Sequence, residues 1–347
     1  MRKISDCFNH KTRPLIVAEL SGNHNNSLNY CMDSIEAAAD CGVDAIKFQT
    51  YKADSLTIKC KKKDFIIKDK NSPWDGEILY NLYKKGSTPW EWHKKLFSKA
   101  KKCGLIAFST PFDLESLKFL KTLKPPCYKI ASFENTFHHL IKKVSQTKKP
   151  LIISTGMASQ KEIGESVKIA RHNGAKKIIL LKCSSNYPAR PEDLNLKTME
   201  DMKKKFKCEI GLSDHTLGIG SSIAAVTLGA RFIEKHFTLD SKINTVDSSF
   251  SLNPSQMKLL VQETNRAWES IGKVNYSISK KEFNSTRFRR SLYFVKHLIK
   301  GEKIKPEHVK AIRPGYGIPS KYYNKIIGKI IKKNVEKGTA VKFSLIK

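Results

Sequence analysis

Residues 211–215 read Gly-Leu-Ser-Asp-His and residues 234–237 read Glu-Lys-His-Phe, and what lies between them decides the fold. Each stretch ends a strand-like apolar run in a polar cluster that carries a histidine. The intervening 218–230 is rich in Gly and Ala and reads as a helix. Strand, helix and strand in that order form a parallel unit, so His215 and His236 are expected at neighbouring strand ends, one helix apart. Asp214 and Glu234 stand beside them, and two imidazoles with acidic neighbours suit Mn²⁺, Mg²⁺ or another divalent ion.

The same alternation repeats along the chain. Strand-like runs fall at 15–20, 45–48, 106–110, 128–132, 151–155, 178–183, 209–213 and 232–237. Helical periodicity fills the gaps: Leu28, Met32, Ile35, Ala38 and Ala39 share one face, as do Ile163, Val167 and Ala170. The runs are continuously apolar, as strands covered on both faces are. Eight βα units over about 250 residues predict a (β/α)8 TIM barrel. The alternative, an open doubly wound sheet, lacks the expected GxGxxG after its first strand. We therefore divide the chain into a barrel at 1–272, a polar, basic linker at 273–289 and a compact module at 290–347. That module is rich in turn residues, with Gly301, Gly315, Gly317, Gly328, Gly338 and three prolines. Residues 54–93 form a long insertion after the second strand, on the face where insertions shape a substrate pocket.

Composition narrows the function classes. Hydrophobic residues make up 40% of the 347, enough for a sizeable core. No run approaches the ~18 apolar residues of a membrane span, and the N-terminus lacks an apolar signal core, which predicts a cytoplasmic protein without a membrane partner. The 8 cysteines have no regular spacing, so a disulfide framework is not expected. The net charge of +32 comes mostly from dispersed lysines. Arginines interleaved with aromatics, the pattern of nucleic-acid binders, are missing, so the charge reads as a solvated surface that attracts anionic substrates.

Polar residues collect at the carboxyl ends of the strands, the catalytic face of a barrel. Glu19, Asn23 and His24 follow the first strand, and Lys47 and Gln49 close the second. Lys47, Lys129 and Lys182 with Ser132, Ser154 and Ser213 predict a pocket for phosphate or carboxylate. Glu19 and Glu234 are candidates for acid–base work, and His24 is either a further polar wall or a loop residue.

The motifs Ala-Glu-Leu-Ser-Gly-Asn-His (18–24), Ala-Ile-Lys-Phe-Gln-Thr-Tyr (45–51), Tyr-Lys-Ile-Ala-Ser (128–132), Ile-Ser-Thr-Gly-Met (153–157) and the two opening stretches resemble the sialic acid synthase family. Arg-Ser-Leu-Tyr (290–293) and Arg-Pro-Gly-Tyr-Gly-Ile (313–318) resemble its antifreeze-like (SAF) domain. The resemblance spans nearly the whole chain. It implies condensation of phosphoenolpyruvate with an open-chain amino sugar, release of phosphate, and a domain-swapped homodimer.

Carried over position by position, the resemblance implies Lys47, Lys129, Ser132, Ser154 and Ser213 as the phosphoenolpyruvate set. It implies His215 and His236 as metal ligands, and Glu19 and Glu234 as the acidic residues near metal and reacting carbons. Gln49, Thr110, Glu134, Tyr187 and Asp247 match positions near the sugar, and Arg313 an arginine from the partner's small domain. Ser185 stands where the family typically carries a phosphate-contacting asparagine. Asp-Phe-Ile-Ile-Lys (64–68), Trp-Asp-Gly-Glu-Ile-Leu-Tyr-Asn-Leu-Tyr (74–83), Thr-Pro-Trp-Glu-Trp-His (88–93) and Asp-Ser-Ser-Phe-Ser-Leu (247–252) resemble the pseudaminic acid synthase branch. Its acceptor is 2,4-diacetamido-2,4,6-trideoxy-L-altrose; N-acetylneuraminate and legionaminate synthases, with other amino sugars, are the alternative. The insertion's aromatics either line that acceptor's pocket or pack the insertion itself. An aldolase-like or deoxy-octulosonate-type synthase on the same barrel would not need the tail module, and a pure binding module would leave the strand-end residues unexplained.

Overall fold

The computed structural model describes residues 2–70 and 72–347, which fall into two compact units divided between Gly272 and Lys273. In the first unit the strands are β1 (Leu15–Glu19), β2 (Ala45–Thr50), β3 (Ile106–Pro111), β4 (Tyr128–Ile130), β5 (Leu151–Ser154), β6 (Ile178–Cys183), β7 (Glu209–Asp214) and β8 (Phe232–His236). All pairings among them are parallel, in the order β3-β2-β1-β8-β7-β6-β5-β4. β1 bonds to both β2 and β8, and β3 and β4, the two ends of that order, lie side by side. The result is a nearly closed (β/α)8 barrel. Its helices are α1 (Leu28–Asp40), α2 (Ala53–Leu56), α3 (Leu79–Gly86), α4 (Trp90–Lys102), α5 (Leu114–Thr122), α6 (His138–Ser145), α7 (Gln160–His172), α8 (Thr198–Phe206), α9 (Gly220–Thr227) and α10 (Pro254–Ile271). Several start on side-chain caps, such as the reciprocal Ser159–Glu162 pair at α7 and Asn253 before Pro254 at α10.

Strand alternation positions the site. Successive side chains point to opposite faces. Ile16, Ala18, Ile46, Ile153, Leu180 and Ile233 pack toward the helices. Leu15, Val17, Phe108, Ile152, Ile179 and Phe232 fill the barrel, closed below by Ile4 and Cys7 of an N-terminal 3-10 turn. Two residues further along several of these inward series the side chains turn polar: Glu19 after Val17, Thr110 after Phe108, Ser154 after Ile152, Glu234 after Phe232. Gly211 belongs to the inward series of β7. A Cβ there would lie 2.3 Å from the Phe232 carbonyl oxygen and 2.6 Å from Leu181 Cδ2, so only glycine fits beside those neighbours.

The insertion is shorter than its sequence suggests. It holds α2, α3 and an antiparallel Ile66–Ile78 bridge, and α4 begins at Trp90. Thr-Pro-Trp-Glu-Trp-His therefore opens a barrel helix and does not belong to a pocket loop. Trp90 stacks on Phe119 with ring centres 4.7 Å apart. His93 is buried, with Nε2 2.7 Å from Thr50 Oγ1, and burial pushes its pKa down to about 4.

The second unit pairs β9 (Ser291–Phe294) with β10 (Val309–Ile312) in antiparallel register. Leu292, Phe294, Leu298, Val309, Ile331 and Val341 are among its core residues. Gly301, Gly328 and Gly338 take the left-handed backbone that its turns need. No helix among the described residues is long and apolar enough to cross a membrane, and all eight cysteines are free.

Candidate active site

At the carboxyl ends of the barrel strands lies a cavity of about 660 Å³. Its floor is ionic. Lys47 Nζ lies 2.9 Å from Glu19 Oε1, 3.1 Å from Glu234 Oε1 and 3.5 Å from Thr110 Oγ1. Lys129 Nζ is 3.3 Å from the same Glu234 oxygen, which also accepts the Ser213 hydroxyl at 3.1 Å. Gln49 donates to Glu19 Oε1 at 2.9 Å. Burial alone would raise the Glu19 carboxyl, but Lys47, His236 and Lys129 outweigh it and hold the group well below the usual carboxylate range. Burial works against the Lys47 ammonium too, and Glu19 and Glu234 reverse it, so Lys47 is raised. Lys129 is lowered, because burial and the neighbouring Lys47 prevail over Glu234.

Both imidazoles face this floor, with ring centres 5.2 Å apart. His215 Nδ1 sits 2.8 Å from the Ser184 carbonyl oxygen, so it carries the hydrogen and a neutral ring keeps its Nε2 lone pair free. His236 Nε2 is 3.3 Å from Glu19 Oε2. Its Nδ1 is buried with no hydrogen-bond partner; the nearest carboxylate oxygen, Asp247 Oδ2, is 3.6 Å away, too far for one. Burial lowers the His236 pKa, favouring the neutral ring that ligates metals. Among the described residues no three His, Cys, Asp or Glu side chains stand together as a metal cage. Burial works against a charge on His215, but Cys183 and the Ser184 carbonyl outweigh it and raise its pKa to about 8. A divalent ion would displace that proton, and the two rings then fit an ion that takes its remaining ligands from water or substrate.

Other polar atoms at this end of the barrel are unsatisfied. Ser154 Oγ and Ser185 Oγ are buried without hydrogen-bond partners, and Glu234 Oε2 has none either. The Ser132 hydroxyl accepts from the Gly156 amide at 3.1 Å. A Cβ on Gly156 would lie 2.3 Å from Ser185 Oγ and 2.8 Å from Ser132 Oγ, so glycine keeps this cradle open. Hydroxyls and a lysine in this arrangement suit a phosphate or carboxylate.

Part of the remaining wall is aromatic, with Phe250 packed behind it. The Tyr187 ring lies 4.4 Å from His215 and 5.3 Å from Trp74, and Phe250 touches Trp74, Tyr187 and both histidines. Glu134 lines the cavity as well; burial, partly offset by Lys129, pushes its pKa up to about 7.

A protein-family model described as the NeuB family matches residues 34–276, and one for the SAF domain matches 289–347. The chain belongs to the NeuB family. It is 43% identical to a protein named pseudaminic acid synthase from Campylobacter jejuni subsp. jejuni serotype O:23/36 (strain 81-176), over 97% of this chain and 98% of that one. It is 38% identical to the N,N'-diacetyllegionaminic acid synthase of Campylobacter jejuni subsp. jejuni serotype O:2, over 95% and 99% of the two chains. Among solved structures it resembles the N-acetylneuraminic acid synthetase of Leptospira borgpetersenii serovar Hardjo-bovis, with a TM-score of 0.70 and 31% identity over 79% of this chain and 90% of that one. At the level of the family, the activity is that of a phosphoenolpyruvate-dependent nonulosonate synthase, which uses an amino sugar as its second substrate.

Of the positions that pointed to a NeuB-type site, fourteen line the cavity: Glu19, Lys47, Gln49, Thr110, Lys129, Ser132, Glu134, Ser154, Tyr187, Ser213, His215, Glu234, His236 and Asp247. Ser185 stands just behind them at Gly156. Arg313 belongs to the second unit, where it follows β10 and is exposed. Two expected members face away. Lys182 turns to the carbonyl of Cys183, 3.2 Å away, and Asp214 points toward the helices, where it pairs with Lys235 at 3.0 Å. Strand alternation decides both, since each precedes an inward residue. His24 is a loop residue: its ring bridges the Gly86 carbonyl and the Asn26 amide at 3.2 and 3.1 Å. Cys183 and Phe250 were not foreseen. Cys183 continues the inward series from Ile179 and Leu181, so alternation could have found it, whereas nothing in the sequence around Phe250 marks it as a ring under both histidines.

Proposed function

We propose that this chain is a pseudaminic acid synthase, condensing phosphoenolpyruvate with 2,4-diacetamido-2,4,6-trideoxy-L-altrose to give pseudaminic acid and phosphate. The near end-to-end similarity to the Campylobacter pseudaminic acid synthase carries the reading. In the reaction, C3 of phosphoenolpyruvate attacks the sugar aldehyde carbon, and the aldehyde oxygen takes up a proton. Water adds to the cationic C2 and loses a proton. The new C2 hydroxyl then gives up its proton as the bond between C2 and the phosphate oxygen breaks, releasing phosphate and leaving the 2-keto acid.

The residues have separate tasks in this scheme. Lys129 and the Ser132, Ser154 and Ser213 hydroxyls hold the phosphate and carboxylate. Glu19 and Glu234 are the proton carriers, and the unpaired Oε2 of Glu234 is the open acceptor for the attacking water. Each floor ammonium is already matched by a carboxylate, so a multiply charged anion calls for further cations. A Mn²⁺ or Mg²⁺ ion held by His215 and His236 supplies one when bound, and polarises the sugar carbonyl. Arg313 supplies another in a domain-swapped homodimer, in which one subunit's SAF domain serves the other's barrel.

The decisive experiment offers purified enzyme phosphoenolpyruvate with a panel of amino sugars and identifies products by mass. Turnover of N-acetylmannosamine alone would refute the assignment. Phosphoenolpyruvate labelled with ¹⁸O at the bridging position should deliver the label into phosphate. An equal mixture of Arg313→Ala and Lys47→Met subunits should regain part of the activity that each variant lacks, if the sites are shared across the dimer. His236→Ala should abolish turnover and its metal dependence together.

A further inference from the structure

The cavity lining divides by origin. Strand ends supply the ionic floor, whereas the insertion supplies a mostly apolar wall, with Asp69 as its carboxylate. On α3, Leu79, Leu82 and Tyr83 are spaced as one helix face, and all three line the cavity. The opposite face carries Asn81, Lys84 and Lys85, all exposed. The face is held firmly against the barrel. A Cβ on Gly22 would lie 3.3 Å from Gly86 Cα and 2.9 Å from Val246 Cβ, so the backbones meet there with no slack. The Gly86 carbonyl contacts the His24 ring at 3.2 Å, and Trp74 ties the insertion to the loop after β8 by donating to the Val246 carbonyl at 2.8 Å.

We infer that Leu79 and Leu82 on this α3 face are the specificity surface for the far end of the acceptor sugar, and that they select a methyl over a hydroxymethyl there. The inference rests on the reading of this cavity as an amino-sugar condensing site. The aldehyde must meet phosphoenolpyruvate at the ionic floor, so the sugar's other end is left to the wall. A methyl buries favourably against leucine. A hydroxyl loses its water and finds no partner on either leucine.

The test compares two acceptors that differ only at C6, one a 6-deoxy sugar and one its 6-hydroxy counterpart. The pair is built on whichever amino sugar the enzyme condenses, so failure of the pseudaminate assignment does not disable it. We expect kcat/KM to favour the 6-deoxy partner by about 10- to 100-fold, the discrimination typical of an apolar pocket. Leu82→Asn should bring the ratio to within a few-fold of unity with the KM for phosphoenolpyruvate unchanged. Leu79→Asn, at a half-buried position that tolerates polarity better, should move it the same way. A wild-type ratio near one, a preference for the hydroxyl, or a ratio that survives both substitutions in folded enzyme would overturn the inference. Turnover confined to N-acetylmannosamine, with its 6-deoxy form preferred, would instead keep the inference and remove the pseudaminate reading.

Discussion

Glu234 and Lys235 are neighbours on β8 and both are buried, yet they belong to different machines. Glu234 faces the cavity. One of its oxygens gathers Lys47, Lys129 and Ser213, and the other has no partner. Lys235 faces the helices, where its charge is answered. It pairs with Asp214 and donates to the Thr216 carbonyl. Asp214 Oδ1 takes the Thr216 amide and hydroxyl at 2.9 and 2.7 Å, and its Oδ2 takes the Ser222 hydroxyl at 2.6 Å. The outer network is complete and clamps the turn that presents His215. The inner one is left incomplete at Glu234 Oε2, Ser154 Oγ, Ser185 Oγ and His236 Nδ1, as a site awaiting ligands would be. Buried charge therefore serves structure where its bonds close and chemistry where they do not.

Breaking each side separately should give opposite signatures. Glu234→Gln keeps the shape and removes the inner charge, and kcat/KM should fall by about 10²–10³-fold while the unfolding midpoint moves little. Lys235→Met leaves Asp214 buried without its cation and should cost about 3–5 kcal/mol in urea denaturation, with a smaller loss of kcat in the protein that stays folded. If Lys235→Met removed activity as completely as Glu234→Gln without loss of stability, the division would be wrong.

Glu134 offers a finer test. Its folded pKa is raised to about 7 by burial, whereas an exposed glutamate ionises near 4.5. The folded chain thus holds a proton that the unfolded chain releases, so this group's contribution is fully present below pH 4.5 and is lost as pH rises to about 7. Comparing denaturant midpoints at pH 5 and pH 8, Glu134→Gln should lose on the order of 1–3 kcal/mol less than the parent does over that interval. The smallest effect belongs to the redundant edge of the outer network. Ser222→Ala removes one of the donors to Asp214 and should cost about 1 kcal/mol, with catalysis unchanged.

Most of the barrel is legible in the chain because continuous apolar runs bounded by helical periodicity have few other ways to bury themselves. The strand ends are legible too, since lysines and glutamates at the close of such runs are costly unless paired. The insertion is less so. Trp74, Trp90 and Trp92 look alike in sequence, but Trp74 joins the cavity, Trp90 stacks on Phe119, and Trp92 packs against the core and edge-on to His24. Which aromatic meets which partner depends on where α4 starts, and no local propensity marks that boundary sharply.

By itself the sequence determined the alternation of elements, the family and the residue types that gather at the barrel mouth, because periodicity and strand order are local properties. Alternation sets Ser213 against Asp214 and Glu234 against Lys235, but only the tertiary structure decided that the outward pair closes into one network with Thr216 and Ser222. It alone decided that α3 turns a leucine face to the cavity, and that several acceptors go unpaired. The physical reason is that a strand's facing flips with a one-residue step, and a bond is complete or incomplete only once partners distant in the chain have met.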